Sequence, residues 1–231
     1  MGIKERQTRE REAVRQSILA AARTLFLAEG YANVSMRKIA EQIEYSPGAI
    51  YSYFASKEDI FFALAEEGLQ RLLVHCTDDR DTDGVPPLPL VRKELWCFYT
   101  FSKAQPEYFS LIFVDRAVPR ISRDWERFSF MRDLRGRIEH HIQRCIDDGV
   151  FPAAQSAASV FRVLSTAMYG AAVFRLSNRL APGEDADALA ADLLDSVVAG
   201  LRSGVALRFN AGSDTREPLP ASTPFEELGA P

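Results

Sequence analysis

The chain has 231 residues, of which 47% are hydrophobic and 26% charged, a composition typical of a globular protein. Its formal net charge of −4 excludes a uniformly basic protein. The charge is uneven, because residues 1–57 contain nine basic and six acidic side chains and so carry +3, which leaves −7 for the rest. A basic N-terminal part on an acidic remainder is a weak indication of a nucleic-acid partner.

The three cysteines, Cys76, Cys97 and Cys145, lie far apart in the sequence and form no Cys-x-x-Cys pair. An odd number of cysteines without a secretory signal predicts reduced thiols in a cytosolic protein. Two interpretations stay open at this point. Either one of the thiols senses redox state, or all are buried and inert, which is the more common case.

No segment of the sequence suits a membrane. The longest strongly apolar run, residues 163–174, is flanked by Arg162 and Arg175 and is shorter than the 18 or so residues that a spanning helix needs. The N-terminal stretch MGIKERQTRERE is charged throughout, which is not typical of a secretory signal. We therefore expect a cytoplasmic protein with no membrane partner.

Helical periodicity dominates the chain, and no segment alternates as a β-strand does, which predicts an all-α fold. Apolar residues mark one face of a first helix over 9–29, and Gly30 is suited to end it. Ser35 is a favourable N-cap for a second helix over 35–43.

Two further helices follow closely. Ser46 can cap a third helix over 46–54, with Pro47 at the first helical position, where its missing N–H costs nothing. The fourth, over 56–76, begins with a serine that Asp59 follows three positions later, an arrangement similar to a capping box.

The rest of the chain is predicted to be a larger helical domain. The acidic, proline-rich stretch 78–90 is typical of a loop, and the composition of the last residues is typical of disorder. Helices are predicted over 89–104, 106–114, 122–148, 155–179 and 185–208. The expected domains are a DNA-binding domain over 1–57, a ligand-binding and dimerisation domain over 58–208, and a disordered tail over 209–231.

The short helices 35–43 and 46–54 form a candidate helix-turn-helix. The first helix would supply the third side of a small core made of Phe26, Ile39, Ile43, Ile50 and Phe54. An ordinary helical hairpin inside a bundle is the alternative.

The outer face of helix 46–54 favours the DNA-binding interpretation. If Ile50 and Phe54 point inward, the outward positions carry small residues, and a thin face lets a helix approach a DNA groove closely. Tyrosine hydroxyls on its flanks can reach phosphate oxygens, which accept half or more of protein–DNA hydrogen bonds. Ser35 and Lys57 stand at helix N-termini, where free N–H groups favour a phosphate.

The stretch VSMRKIAEQIEYSPGAIYSYFASKEDI, preceded by ILAAARTLFLAEGY, resembles the DNA-binding region of TetR/AcrR-type transcriptional regulators. The resemblance covers about 60 residues and rests on S-x-R-x-I-A, IYSYF and SKED, which occur in this order at the expected spacing. It implies an all-α homodimer with an N-terminal three-helix helix-turn-helix domain, whose recognition helix is 46–54. It also implies a larger C-terminal helical domain with a pocket for a small-molecule inducer.

By position, the resemblance assigns DNA contacts to ten residues. They are Ser35, Arg37, Tyr45, Ser46, Gly48, Ala49, Tyr51, Ser52, Tyr53 and Lys57. The sequence departs from the family pattern at Glu44, where glycine is frequent, at Pro47, where lysine is frequent, and at Ala49, where a hydroxyl residue is frequent. We therefore expect few direct hydrogen bonds to bases and a larger contribution from DNA shape and from a basic N-terminal arm. That arm comprises Lys4, Arg6, Arg9 and Arg11, and a frayed, solvated terminus is the alternative.

The last two predicted helices carry small residues at helical spacing, which permits close helix packing. We predict a four-helix dimer interface made by Ala167, Gly170, Ala171, Phe174, Leu193, Ser196, Val197, Gly200, Leu201 and Gly204. An intramolecular core is the alternative.

Aromatic residues are concentrated over 96–130, so a pocket for an apolar or aromatic compound is plausible there. Candidate lining residues are Trp96, Tyr99, Phe113, Phe128, His141, Phe161 and Tyr169. Aromatic residues at helical spacing belong more often to a core than to a ligand site. His140 and His141 have no partner at metal-ligand spacing, so neither a metal nor a cofactor is expected.

The sequence thus predicts a DNA-binding transcriptional regulator, a repressor that leaves a pseudo-palindromic double-stranded operator when an inducer binds. The alternatives are a helical small-molecule-binding protein or enzyme, and a purely architectural bundle. No glycine-rich phosphate loop, HExxH or nucleophile motif occurs in the sequence, so no catalytic residue is predicted.

Overall fold

The computed structural model describes residues 2–76, 84–119 and 126–207. Within these ranges the chain forms nine α-helices and no β-strand, which confirms the predicted all-α fold. The helices are α1 (Ile3–Glu29), α2 (Met36–Gln42), α3 (Pro47–Tyr51), α4 (Lys57–Cys76), α5 (Pro87–Ala104), α6 (Pro106–Phe109), α7 (Ser129–Asp147), α8 (Ala157–Leu176) and α9 (Ala186–Arg202). A 3₁₀ turn, Tyr31–Asn33, follows α1, and a π-helical turn, Ser110–Val114, follows α6.

Several predicted boundaries differ from those observed. The predicted helix 106–114 is divided into α6 and the π-helical turn, and α3 is shorter than predicted because residues 52–53 form a turn. The predicted start of the seventh helix at 122 and the predicted tail over 209–231 lie outside the described residues.

The basic N-terminal arm is the first part of α1. The helix begins at Ile3 rather than near Arg9, so this exposed segment is helical and not frayed. Pairs of opposite charge four residues apart stabilise exposed helical turns. Arg6 and Glu10 form such a pair, with 2.9 Å between Nε and Oε1.

Helices α1, α2 and α3 pack into one unit, called the head below. Its centre consists of the predicted core residues Phe26, Ile39, Ile50 and Phe54, all buried, together with Ile18, Ala22 and Ala40. Ile43, also predicted for this core, is half-buried. The helix-turn-helix is therefore closed by α1, as the sequence predicted.

A Schellman motif joins α2 to α3. The N–H of Tyr45 donates to the carbonyl of Ala40 at 2.9 Å, and the N–H of Glu44 donates to that of Glu41 at 3.2 Å. The motif requires a left-handed residue at its penultimate position, and Glu44 has φ = +57°. The strain expected from glutamate at this position is thus present in the backbone.

Helices α5 to α9 form a second unit, called the body below, in which α8 packs against α5, α7 and α9. By length and composition α8 could cross a membrane, with a mean hydropathy of 1.4. One such helix is weak evidence, since the core helix of a globular protein passes the same test. The contacts of α8 with three neighbouring helices fit a core helix.

Helix α4 connects the head to the body and contacts both, packing against α1, α5, α6 and α7. Its Gly68 lies so close to α6 that an added Cβ would stand 2.7 Å from Cδ1 of Tyr108. The hydroxyl of Tyr108 in turn accepts a hydrogen bond from Arg23 of α1 at 2.7 Å. Head and body thus share one continuous core.

Two of the three cysteines are joined. Cys76, at the end of α4, forms a disulfide with Cys97 of α5, so the prediction of reduced thiols is wrong for this pair. Sequence spacing could not show it, because the packing of the two helices brings their Cα atoms to 5.5 Å. Cys145 is the free, buried thiol, and desolvation raises its pKa to about 11, which agrees with an inert role.

The left-handed turn at Glu44 generates a stability prediction. Glu44→Gly is expected to raise the free energy of unfolding by about 0.5–1 kcal/mol, because glycine adopts positive φ without a Cβ clash. Urea denaturation measures the change. As a matched control, Gln42→Gly in the last turn of α2 is expected to lower the same free energy. A loss of stability in Glu44→Gly would contradict the argument.

Candidate DNA-binding surface

The three predicted N-caps are formed in the structure, that of Ser56 by a hydrogen bond from the N–H of Asp59 at 3.1 Å. The other two lie on the helix-turn-helix. The hydroxyl oxygen of Ser35 accepts from the N–H of Lys38 at 3.2 Å, and that of Ser46 accepts from the N–H of Ala49 at 3.2 Å. Both serines are exposed, and each shapes the start of its helix. A phosphate contact by either would come in addition to this capping role.

The outer side of the helix-turn-helix is open and has few long side chains. Gly48 is exposed, and a Cβ added to it would meet nothing within 4 Å. Tyr45 is 43% and Tyr51 55% exposed, the large exposed apolar side chains of this region. Arg37 is also exposed and pairs with Glu41 at 2.8 Å, an ion pair that solvent screens. This surface can approach a groove closely and offers two hydroxyls at its edges.

Ala49 and Tyr53 are less accessible than predicted. Both are half-buried, whereas Ser52 is exposed and its hydroxyl donates to the carbonyl of Ala49 at 2.7 Å. The ten predicted contact residues thus lie on the helix-turn-helix unit and at the start of α4, and three of them, Ala49, Tyr53 and Lys57, are partly covered.

Arg11 and Arg15 have a position that sequence reasoning missed. The Arg11 guanidinium donates to the carbonyl of Ser52 at 3.3 Å and lies 5.4 Å from the centre of the Tyr53 ring. Arg15 lies 5.3 Å from the centre of the Phe54 ring. These cations pack against the C-terminal end of α3 and the turn that follows it. Their spacing of four residues on one face of α1 was the only signal available in the sequence.

Lys57 is directed into the protein. Its ammonium donates to the carbonyls of Tyr31 at 2.8 Å and Val34 at 2.9 Å, and lies 4.2 Å from the centre of the Tyr31 ring. Desolvation by burial lowers its pKa. Two of its three donors are therefore occupied, and the predicted phosphate contact would depend on the third.

The predicted pocket residues lie among the packed aromatics of the body. Tyr99, Phe128 and His141 are buried, and Trp96, Phe113, Phe161 and Tyr169 are half-buried. The structure brings together Trp96 with Tyr99, whose ring centres are 5.1 Å apart, and Tyr169 with Phe113, through a hydrogen bond of 2.6 Å.

His141 contacts the carboxylate of Glu94. Its Nδ1 lies 3.1 Å from a carboxylate oxygen of Glu94, whose other oxygen accepts from Arg137 at 3.1 Å. Within the described ranges, no group of three or more His, Cys, Asp or Glu side chains could hold a metal ion.

A cavity of about 470 Å³ lies away from these aromatic residues, between the start of α8 and the end of α9. None of the predicted pocket residues lines it.

The predicted interface residues on α8 and α9 divide into two groups. Ala171 and Leu201 are buried within the single chain, so they belong to the intramolecular core. The other eight are exposed or half-exposed, and Phe174 is 42% exposed. An exposed phenylalanine beside small residues forms an apolar surface on this side of the body.

The structure shows two short helices with N-caps, α2 and α3, which pack against α1 and expose an outer face of small residues. This arrangement is a helix-turn-helix domain. Residues 18–64 match the family model of bacterial regulatory proteins of the tetR family. The N-terminal domain of this chain is therefore a tetR-family helix-turn-helix domain.

Curated relatives match over the same region. The chain is 41% identical over 58 residues to the HTH-type transcriptional repressor AcnR of Corynebacterium diphtheriae, covering 25% of this chain and 30% of that protein. It is 40% identical over 60 residues to the HTH-type transcriptional repressor Rv1474c of Mycobacterium tuberculosis, covering 26% and 32%. The matched segment thus spans about a third of these relatives, as expected for the DNA-binding domain alone.

Solved structures match over most of the chain. The TetR-family regulator PfmR of Thermus thermophilus has a TM-score of 0.61 at 19% identity, covering 80% of this chain and 98% of that one. The ketosteroid transcriptional regulator KstR2 of Mycobacterium tuberculosis has a TM-score of 0.58 at 21% identity, covering 81% and 94%. At these identities the likeness shows that head and body together have the fold of TetR-family regulators.

The inward position of Lys57 generates a second stability prediction. Lys57→Ala is expected to lower the free energy of unfolding by about 1–3 kcal/mol, because two carbonyls lose a charged donor. Lys38 is the matched control, because its ion pair with Glu29 and its bond to the carbonyl of Asn33 at 3.3 Å are both exposed, and Lys38→Ala is expected to change stability by less than about 0.5 kcal/mol. Thermal or urea unfolding compares the two, and equal small effects would contradict a structural role for Lys57.

Proposed function

We propose that the protein is a cytoplasmic transcriptional repressor that binds a double-stranded DNA operator through its helix-turn-helix domain. The observation that carries this proposal is the exposed, thin face of α3 on a head whose sequence matches the tetR-family model. The curated relatives with the same domain are named as transcriptional repressors rather than enzymes. An enzymatic activity has no comparable support.

In the proposed complex α3 enters the major groove of the operator. Gly48 and Ser52 allow close approach of the helix, and the hydroxyls of Tyr45 and Tyr51 reach phosphates on either side. Ala49 offers a methyl group to a thymine. Because few long polar side chains face the bases, phosphate contacts and DNA shape supply much of the binding.

The operator would be pseudo-palindromic, because a two-fold symmetric dimer presents two identical recognition helices. We assign the dimer contact to the exposed parts of α8 and α9, around Phe174, Gly170, Ser196 and Gly200. Two helices from each protomer would form a four-helix interface, and the small residues permit close packing of their backbones.

Release of the operator is proposed to follow binding of a small apolar or aromatic inducer in the body. The candidate site is the aromatic region that includes Trp96, Phe113, Phe161 and Tyr169, which are half-buried. An inducer can shift the protein only if it binds one arrangement of head and body more tightly than another. Helix α4, which contacts both units, would transmit the difference.

The DNA-binding proposal is tested with Gly48→Glu. The position is exposed and an added Cβ meets nothing within 4 Å, so the variant should fold normally, and a carboxylate near a helix N-terminus does not destabilise it. Its charge would face phosphate, and we expect affinity to fall by about a hundredfold or more. Fluorescence anisotropy with a duplex selected from a random library by the wild-type protein measures the loss.

The matched control is Gly136→Glu, which introduces the same charge at an exposed position of α7 and should leave affinity unchanged. Wild-type affinity should also fall about a thousandfold between roughly 50 and 200 mM salt if six or more phosphates are contacted. If no duplex is selected, or if both variants bind as the wild type does, the proposed function is wrong.

The dimer proposal is tested with Gly200→Leu. An added Cβ at Gly200 meets nothing within the protomer, and leucine favours a helix more than glycine does, so folding should be preserved. The larger side chain should separate the two copies. Light scattering is expected to give the wild type twice the chain mass of 25.8 kDa and the variant a mass close to that of one chain. Gly136→Leu on α7 should remain dimeric, and a dimeric Gly200→Leu would overturn this interface.

A further inference from the structure

The disulfide lies at the junction between the helix that carries the head and the body. Cys76 is the last residue of α4, and Cys97 lies inside α5. No other disulfide is formed within the described ranges. The disulfide ties the last turn of α4 to the body. The first turn of α4, which begins at Lys57, lies at the opposite end, beside the head.

Within the described residues, the side chains of the last turn of α4 are half-buried or exposed. Leu73 packs half-buried against the core, and Val74 is 77% exposed. The exposed ring of His75 shares a hydrogen bond with the hydroxyl of Thr100 on α5 at 3.0 Å, and its centre lies 6.0 Å from that of the Phe101 ring. The covalent bond therefore supplies a large part of the restraint on this turn, and breaking it would let the end of α4 move relative to α5.

The two bonded cysteines are accessible, and the third is not. Cys76 and Cys97 are half-buried, so a small thiol or disulfide in solution can reach them. Cys145 is fully buried, and a buried thiol in apolar surroundings is chemically inert. Cys76 and Cys97 are therefore open to thiol–disulfide exchange, whereas Cys145 is not.

A disulfide is unusual in a protein that works on chromosomal DNA. Thiols are kept reduced in the cytosol, and disulfides that do form there are usually transient, catalytic or redox-sensing. Since the bond adjoins the helix joining head to body, its formation would restrict the positions that the head can take. We propose that Cys76 and Cys97 form a reversible thiol–disulfide pair through which oxidation controls DNA binding. This inference rests on the proposed function as a DNA-binding regulator.

The reaction is a thiol–disulfide exchange with a low-molecular-weight disulfide, RSSR. One protein thiolate attacks RSSR, forms a mixed disulfide and releases one RS⁻, which takes up a proton. The second protein thiolate then attacks the mixed disulfide at the protein sulfur and releases the other thiol. Overall the two protein thiols lose two electrons and two protons, and RSSR becomes two RSH. Excess RSH reverses both steps.

The physical effect follows from population shift. The reduced protein samples several positions of α4 against α5, and the oxidised protein is restricted to the one in this structure. Apparent affinity for DNA scales with the fraction of protein whose heads are correctly placed. The oxidised and reduced forms should therefore differ in affinity for DNA. Tighter binding by the oxidised form would mean that the restricted position of α4 suits the operator, and weaker binding that it does not.

The test uses the full-length protein equilibrated in buffers of reduced and oxidised glutathione. Alkylation with a maleimide polymer, without denaturant, counts the free thiols of Cys76 and Cys97 at each ratio. Anisotropy with the library-selected duplex measures affinity in the same samples. We expect the pair to be oxidised and reduced reversibly in the folded protein, with affinities of the two forms that differ by about tenfold or more.

Two variants separate the pair from general thiol effects. The double variant Cys76→Ser with Cys97→Ser should show one affinity in all buffers, equal to that of the reduced wild type. Cys145→Ala should keep the full redox response. If the bond is reduced only when the protein unfolds, it is a structural disulfide and the inference is overturned. Equal affinities of the oxidised and reduced forms also overturn it but leave the proposed function intact, whereas absence of DNA binding in both forms overturns the proposed function itself.

Discussion

The burial of α4 on two sides at once is the constraint on which the rest of the structure depends. Ile60, Phe61 and Leu64, near its start, are almost completely buried. Tyr31 of the head packs on Phe61, with 5.7 Å between ring centres, and farther along α4 Gly68 lies against Tyr108 of α6. Because packed interiors resist deformation, a helix shared by both units fixes the position of one relative to the other. A shift of α4 must therefore repack both.

The same constraint explains why Lys57 does not face the solvent. Tyr31 and Val34 lie in the connection between α1 and α2, where the carbonyl of Tyr31 also accepts from the N–H of Val34 at 3.4 Å. A buried carbonyl that lacks a donor is costly. The first residue of α4 supplies that donor to Tyr31 and Val34. The head is thus tied to α4 by charge-assisted hydrogen bonds as well as by apolar packing, which couples the DNA-binding surface to the helix behind it.

Local signals in the sequence predicted the helix-turn-helix well. Serines at N-caps, a proline at N1 and apolar spacing located α2 and α3, and the departure at Glu44 indicated strain that the backbone shows as positive φ. The errors involve contacts between residues distant in sequence. The disulfide, the orientation of Arg11 towards α3 and the pairing of His141 with Glu94 depend on how helices pack, and no periodicity reports that. For the aromatic residues of the body, sequence could not separate a ligand pocket from a core, because both need the same side chains at the same spacing.

The two ends of α4 differ in how they are held, and this difference decides what can change. At the start, Phe61 is completely buried and the hydrogen bonds of Lys57 are partly buried, so small reagents have less access there. At the other end, the described contacts of the last turn are an accessible disulfide, the half-buried Leu73, and an exposed histidine that shares a hydrogen bond with Thr100 and packs on Phe101. A regulatory signal that acts on α4 without unfolding the head must therefore act at the end near α5. Local opening favours the segment with the fewest buried contacts, and in α4 that segment is the turn that ends at Cys76.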